Sequence, residues 1–169
     1  MESFTEGTFY SPTKGDLSFE EVLHEMKEYM QEMPERIYEV IVGCDSSSSE
    51  DPTFPLVVVA LRKGGGGRFF LKRIHYSTQR FYNLHDRILQ EVLLSCQLAL
   101  FLRDMLRDYM KRESPNIMYE FQYIHADVGE KGPTKDMIKE IVGLIRGNGF
   151  EPKIKPESFA ASTVADRYS

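Results

Sequence analysis

The run Ile37–Cys44, reading IYEVIVGC, constrains the fold of this chain more than any other stretch. Val40, Ile41 and Val42 are β-branched and apolar with no polar face between them, so the segment suits a strand buried within a sheet. The run then meets Asp45. A carboxylate at the rim of a core is costly unless a hydrogen bond or a positive charge meets it. Asp45 therefore either caps a turn or binds something positive.

The other elements follow from periodicity and punctuation. Ser18-Phe19-Glu20-Glu21 is a capping box, and it opens an acidic helix over 18–33 with Phe19, Val22, Leu23, Met26, Tyr29, Met30 and Met33 towards the core. Pro34 stops it. Strands are predicted at 37–44, 56–61, 69–76, 117–128 and 150–155. A long helix is expected over 79–112, another over 134–146 ended by Gly147-Asn148-Gly149, and a last one over 159–168. Residues 1–17, rich in Gly, Ser, Thr and Pro, read as a flexible arm before a single domain at 18–169. The acidic helix either covers the sheet or masks a basic face until a partner displaces it. Short loops make the first three strands antiparallel, and the later strand–helix–strand unit favours parallel pairing. An α/β fold results, with a mixed five-stranded sheet and helices on both faces.

Charge is segregated. The net value is −5, but residues 1–52 hold thirteen acids and three bases while 53–169 hold thirteen acids and eighteen bases. Overall acidity thus does not exclude a phosphate-bearing partner, because binding follows local charge. No apolar run reaches membrane-span length and residues 1–30 lack a signal-peptide pattern. Cys44 and Cys96 lie in apolar stretches without metal-ligand spacing, which fits buried free thiols in a reducing cytoplasm. Lys63-Gly64-Gly65-Gly66-Gly67-Arg68 lacks the Gly-Lys-Ser/Thr and the following helix of a phosphate loop, and reads as a hairpin turn.

Four carboxylates stand in awkward places. Asp45 ends one strand, Asp127 ends another in IHADVGEKG, Glu91 interrupts the apolar stripe of the long helix, and Asp166 lies among small residues in ASTVADRYS. Taken singly, Asp45 and Asp127 fit Asx turns, Glu91 an ion pair with Arg87, and Asp166 a solvated surface. If the two strands are parallel neighbours, Asp45 and Asp127 emerge together at the edge where open α/β sheets bind ligands. Clustered carboxylates repel, so some must protonate or a cation must neutralise them, and a hard dication, Mg2+ or Mn2+, suits an all-oxygen donor set. Two such ions about 4 Å apart serve phosphodiester hydrolysis.

This order of strand-Asp, helix-Glu, strand-Asp and helix-Asp resembles the acidic site of the ribonuclease H-like fold. More closely, VIVGCDSS, LHDRILQEV, IHADVGEKGPTKDMIKEIVGLIRGNGF and IKPESFAASTVADRY resemble the YkuK-like family of uncharacterised ribonuclease H-like bacterial proteins, over residues 18 to 168. The family tends to have Thr before the aspartate and Gln after Asp-Ser, where this chain has Cys44 and Ser47. The resemblance implies the fold, with Asp45, Glu91, Asp127 and Asp166 as metal-holding catalytic residues. It also implies cleavage leaving a 5′-phosphate and a 3′-hydroxyl.

The flanking residues suggest a nucleic-acid partner, RNA, DNA or hybrid. Lys131 and Lys135 flank a helix start that welcomes phosphate, and Arg167 adjoins Asp166. Arg68, Lys72, Lys153 and Lys155 add positive charge on edge-like segments. His125, two residues before Asp127, either orients a carboxylate or is a hydrogen-bonded core histidine. Ser46 fits a metal-bound water or a turn. Phe69, Phe70, Tyr76, Phe81 and Tyr82 are either base-stacking groups or core. The expected function is metal-dependent nucleic-acid hydrolysis. The rivals are a non-catalytic nucleic-acid- or protein-binding module and a phosphoesterase acting on small phosphate esters.

Overall fold

Two strands form where the sequence suggested a loose arm: β1 (Phe9–Ser11) and β2 (Gly15–Leu17) pair as a tight hairpin. The structure, a computed structural model, describes residues 3–45, 53–81 and 83–158. The hairpin is held by apolar anchors rather than by strand propensity. Phe4, Phe9 and Leu17 are buried in the main core, each such burial stabilising by about 1.5–3 kcal/mol. Lys72 completes the attachment, donating a hydrogen bond to the carbonyl of Glu6 and lying over the Phe9 ring. Its charge is therefore spent on the arm rather than offered to a ligand.

After the hairpin come α1 (Phe19–Glu32), then β3 (Ile37–Cys44), β4 (Thr53–Arg62) and β5 (Gly67–His75). The long α2 (Leu84–Glu113) leads to β6 (Met118–His125), and α3 (Ile138–Gly147) leads to β7 (Glu151–Lys153). The sheet order is β2-β1-β5-β4-β3-β6-β7. The meander β3–β4–β5 is antiparallel, whereas β3–β6 and β6–β7 are parallel. Pairing directions match the expectation, but the sheet has seven strands instead of five, because the hairpin extends it beyond β5.

Helices α1, α2 and α3 all feed one large core on the face carrying Tyr38, Val40, Val42, Leu56, Val58 and Phe70. A smaller cluster of Ile41, Val57, Val59 and Leu71 occupies the other face. Helices expected on both faces are thus found on one among the described residues; the expected 159–168 helix lies outside them. The capping box of α1 is present, with Ser18 and Glu21 exchanging hydrogen bonds. Its apolar side is in the core, so α1 covers the sheet, the first of the two arrangements expected for it. Met33, expected on that side, is exposed. No helix among the described residues is long and apolar enough to cross a membrane.

Helix α2 starts later than its periodicity suggested. The Asn83 side chain accepts from the Asp86 N–H at 2.8 Å, a cap that fixes the first turn. Upstream, Phe81 turns into the core and meets Phe54 and Tyr76 edge-on. With Phe70 also buried, these aromatics are core rather than base-stacking groups, and Tyr82 lies outside the described residues. Both cysteines are free and buried. Burial pushes the Cys96 thiol up to about 11.

The four-glycine stretch is a hairpin turn. Gly64, Gly65 and Gly66 all have positive φ, and the Arg62 N–H donates to the Gly66 carbonyl at 2.9 Å. A Cβ on Gly66 would lie 2.8 Å from the Tyr29 hydroxyl, while one on Gly65 would meet nothing within 4 Å. The Tyr29 ring is flanked by the guanidiniums of Arg62 and Arg68, at 4.2 and 4.5 Å from its centroid. Arg68 is therefore engaged in packing this turn on α1. Gly66→Ala is expected to destabilise by about 2 kcal/mol, from strain plus collision, and Gly65→Ala by about 1 kcal/mol, from strain alone. Urea denaturation of the two variants checks the order.

Candidate functional site

The parallel pair β3–β6 sets the site. Its register runs Val42 against Ile124 and Gly43 against His125, so Asp45 and Asp127 each follow two residues beyond a matched pair. A bulge makes this possible. Val40 pairs with Phe121 but Ile41 pairs with Tyr123, leaving Gln122 as an extra residue on β6. Without it Asp127 would fall one position out of step with Asp45.

Glu91 approaches from the core side. It lies on α2, only 2% exposed, on a stripe with Ile88, Ser95 and Leu98, and α2 packs across β3. Ser95 Oγ donates to the Glu91 carbonyl at 2.9 Å. One turn earlier on the same helix, Arg87 is also buried and lies over the Phe54 ring. Two titrating neighbours report where these charges converge. The Cys44 thiol is pushed well up, first by burial and then by the carboxylates of Glu91 and Asp45, with Arg87 opposing.

Lys155 reports the same convergence from the opposite sign. Its Nζ donates to Asp127 Oδ1 at 2.8 Å. The ammonium is held above its ordinary range first by that hydrogen bond, and further by the charges of Asp127, Asp45 and Glu91. The structure thus pairs Lys155 with Asp127 directly, while Asp45 and Glu91 act on it through their charge. Asp166, Arg167 and Ser46 lie outside the described residues. Read from sequence only as extra charge on an edge, Lys155 proves to be the counter-ion of the site. It is placed by backbone hydrogen bonds that prolong the β6–β7 pairing: Ala126 N–H to the Lys153 carbonyl at 2.9 Å and Lys155 N–H to the Val128 carbonyl at 2.8 Å. Gly129 leaves room for it, since a Cβ there would lie 3.0 Å from Lys155 Cβ.

The donor set consists of hard carboxylate oxygens, which fits Mg2+ or Mn2+ better than a soft metal. Among the described residues, however, no group of three His, Cys, Asp or Glu side chains is close enough to hold a metal ion. The positive charge beside Asp127 is here the Lys155 ammonium.

His125 is a core residue, 2% exposed, facing Gly43 and Lys153 in register. Burial, and secondarily Lys153, depress its pKa to about 4. It is neutral at physiological pH. Lys153 itself lies over the Tyr123 ring at 4.4 Å. Lys131 and Lys135 are both exposed. Lys135 begins a short 3-10 turn rather than the α-helix expected from 134, and α3 starts at Ile138 without a side-chain cap. Thr134 instead folds back, its Oγ1 accepting from the Gly129 N–H at 3.0 Å. Lys131 joins Lys155, Gly129, Glu130 and Pro156 in lining a cavity of about 260 Å³.

The family model described as Ribonuclease H-like matches residues 21–169 of this chain. The uncharacterized protein YkuK of Bacillus subtilis (strain 168) is 28% identical over 169 residues, covering 95% of this chain and 96% of that protein. No solved structure gives a significant match.

The depressed His125 makes a sign-definite prediction. Its folded pKa of about 4 lies below the ordinary 6.5, so between those values the unfolded chain binds a proton that the native state refuses. Stability is expected to fall as pH drops through that window. His125→Gln should remove this part of the slope, measured as urea midpoints at pH 7 and pH 5.

Proposed function

The chain belongs to the ribonuclease H-like family, and from that premise we propose that it hydrolyses nucleic-acid phosphodiester bonds with the help of Mg2+ or Mn2+. The observation that carries this reading is that Asp45 and Asp127 leave two parallel strands in step at their carboxyl ends, with buried Glu91 on the helix that packs across one of those strands. Asp45, Glu91 and Asp127 would hold the metal, with Asp166 from the C-terminal segment as the fourth carboxylate. Bound there, the divalent ion supplies Lewis-acid activation of water and of the scissile phosphate.

The chain's own residues carry the remaining tasks. Glu91, fixed on a buried helix face, presents its carboxylate at a set height above the sheet end. Asp45 and Asp127 hold theirs in step because the bulge at Gln122 aligns the two strands. Neutral, buried His125 lies on β6 between Gly43 and Lys153, and in this reading is structural rather than a proton carrier. Lys131, exposed at the cavity beside Asp127, offers a positive charge to the phosphates of a bound strand, and Lys135 extends that charge along the same loop. Arg167 is a further phosphate contact in this reading, and Ser46 a hydrogen-bond partner of the metal's water.

A second reading, a binding module without turnover, draws on the same ion pair. With Lys155 on Asp127 at 2.8 Å, that carboxylate already has a cation, and the surface can hold a nucleic acid through its lysines alone. Cleavage assays on labelled single-stranded, duplex, hybrid and branched substrates with Mg2+ or Mn2+ separate the two. Metal-dependent cleavage by the wild type is expected, and Asp127→Asn should lower it by about 10²-fold or more, as loss of a charge acting on the transition state does. Substrates that bind yet remain intact with both proteins would establish the binding module instead.

A further inference from the structure

One face of the sheet is buried although no helix among the described residues lies on it. Helices α1, α2 and α3 pack on the other face, yet His125, Val57, Leu71 and Ile41 are only 2%, 0%, 1% and 1% exposed. The burial is graded along the strands. Lys153, His125, Gly43, Val57 and Leu71 follow one another in register, a single row across β7, β6, β3, β4 and β5. Towards the amino ends of β3 and β6 the cover gives out, and the register partners Ile37 and Met118 are 40% and 64% exposed. A bare sheet face is wetted by solvent. Something therefore lies along the row.

The composition of the chain narrows what that is. Residues 46–52, outside the described residues, are four serines, two acids and a proline, with no large apolar side chain to offer. Met1 and Glu2 lie close in sequence to Phe4, and Tyr82 adjoins Phe81, and both phenylalanines are in the main core on the opposite face. Residues 159–169 differ. Ala160, Val164 and Tyr168 are spaced four apart with Ala161 and Ala165 beside them, the pattern of one apolar helical face. They also start in the right place. The chain leaves β7 just beyond Lys153, at one end of the row, and the Glu157 and Ser158 N–H groups donate to the Ile154 carbonyl at 2.8 and 3.1 Å. Wound as a helix at about 1.5 Å per residue, residues 159–169 span about 16 Å. The step from β7 to β4, across β6 and β3, is about 14 Å.

We propose that residues 159–169 form a helix that docks along this row and covers the face of the sheet that α1, α2 and α3 leave open. Its alanines let it approach closely over Gly43, which presents no side chain. The exposed Ile37 and Met118 mark the part of the face that it does not reach. The inference goes beyond the hydrolytic reading and does not depend on it, because Asp166 and Arg167 lie off the apolar stripe.

The test reads access to the row in the full-length chain. Val57→Cys places a thiol in the middle of it, and its rate of reaction with an aromatic disulfide reagent is measured over the background of Cys44 and Cys96, both buried. Into that chain go Val164→Glu and Tyr168→Ala, which damage the apolar stripe, and Thr163→Glu, which puts the same charge off it. Thermal melting confirms that each protein is folded, and Tyr168→Ala, the milder change, carries the test if Val164→Glu does not fold. Val164→Glu and Tyr168→Ala should speed labelling about tenfold or more, as loss of a local cover does, while Thr163→Glu should stay within about twofold. Unchanged labelling in both stripe variants would overturn the inference. Equal acceleration by all three would also overturn it, since the effect would not follow the stripe. Labelling that quickens when the protein is diluted would give the face to a second copy of the chain instead.

Discussion

Parallel pairing of β3 with β6 is the contact on which the rest of the molecule depends. It places two strand ends, and the two aspartates that follow them, on one edge of the sheet. It also demands a long return path, because β6 cannot pair parallel to β3 through a short turn. The chain uses β4, β5 and then thirty residues of α2 to make that return. The same crossing lays α2 over β3, which brings Glu91 to the pair from the core side. Fold and site therefore share one cause, and the charge of Asp127 is met directly by Lys155, with buried Arg87 on the Glu91 helix adding a second cation.

Much of this was legible in the sequence, for physical reasons that can be named. Val40 to Cys44 has no polar face, so it had to be central. A capping box marks the start of α1, and Glu91 on an apolar stripe had to face the sheet. The glycine run lacked the residues a phosphate loop requires, and its positive φ values fit a turn. Asp45 and Asp127 stood out because carboxylates rarely end buried strands without a partner.

What escaped the sequence depends on contacts between distant residues. The β1–β2 hairpin carries few strand-forming residues and is held by Phe4, Phe9 and Lys72, whose partners lie far along the chain. Its composition was that of an arm. The bulge at Gln122 is visible only once two strands are laid side by side, although Phe121 and Ile124, three apart and both in the main core, are a trace of it. The start of α2 was misplaced because apolar periodicity extends through Phe81, whereas the cap at Asn83 decides where the helix begins. Lys155 looked like any lysine after an edge strand. Its role arises from backbone pairing with Val128, which no spacing in the sequence encodes.

The degree of exposure of Lys155 is what gives the cluster its character. A lysine sealed beside three carboxylates would be a permanent part of the core, since separating a desolvated pair leaves charges that nothing compensates. A lysine left fully in water would contribute too little to hold the carboxylates together. At roughly half exposure, the ammonium meets the Asp127 charge directly while much of its side chain stays in solvent. Glu91 and His125, both almost fully buried, supply the packed side of the same arrangement, and the lysine supplies the solvent-facing one. The division follows the structure itself: α2 and the strands are locked by packing, whereas Lys155 is anchored by its backbone and tied along its side chain by one ion pair.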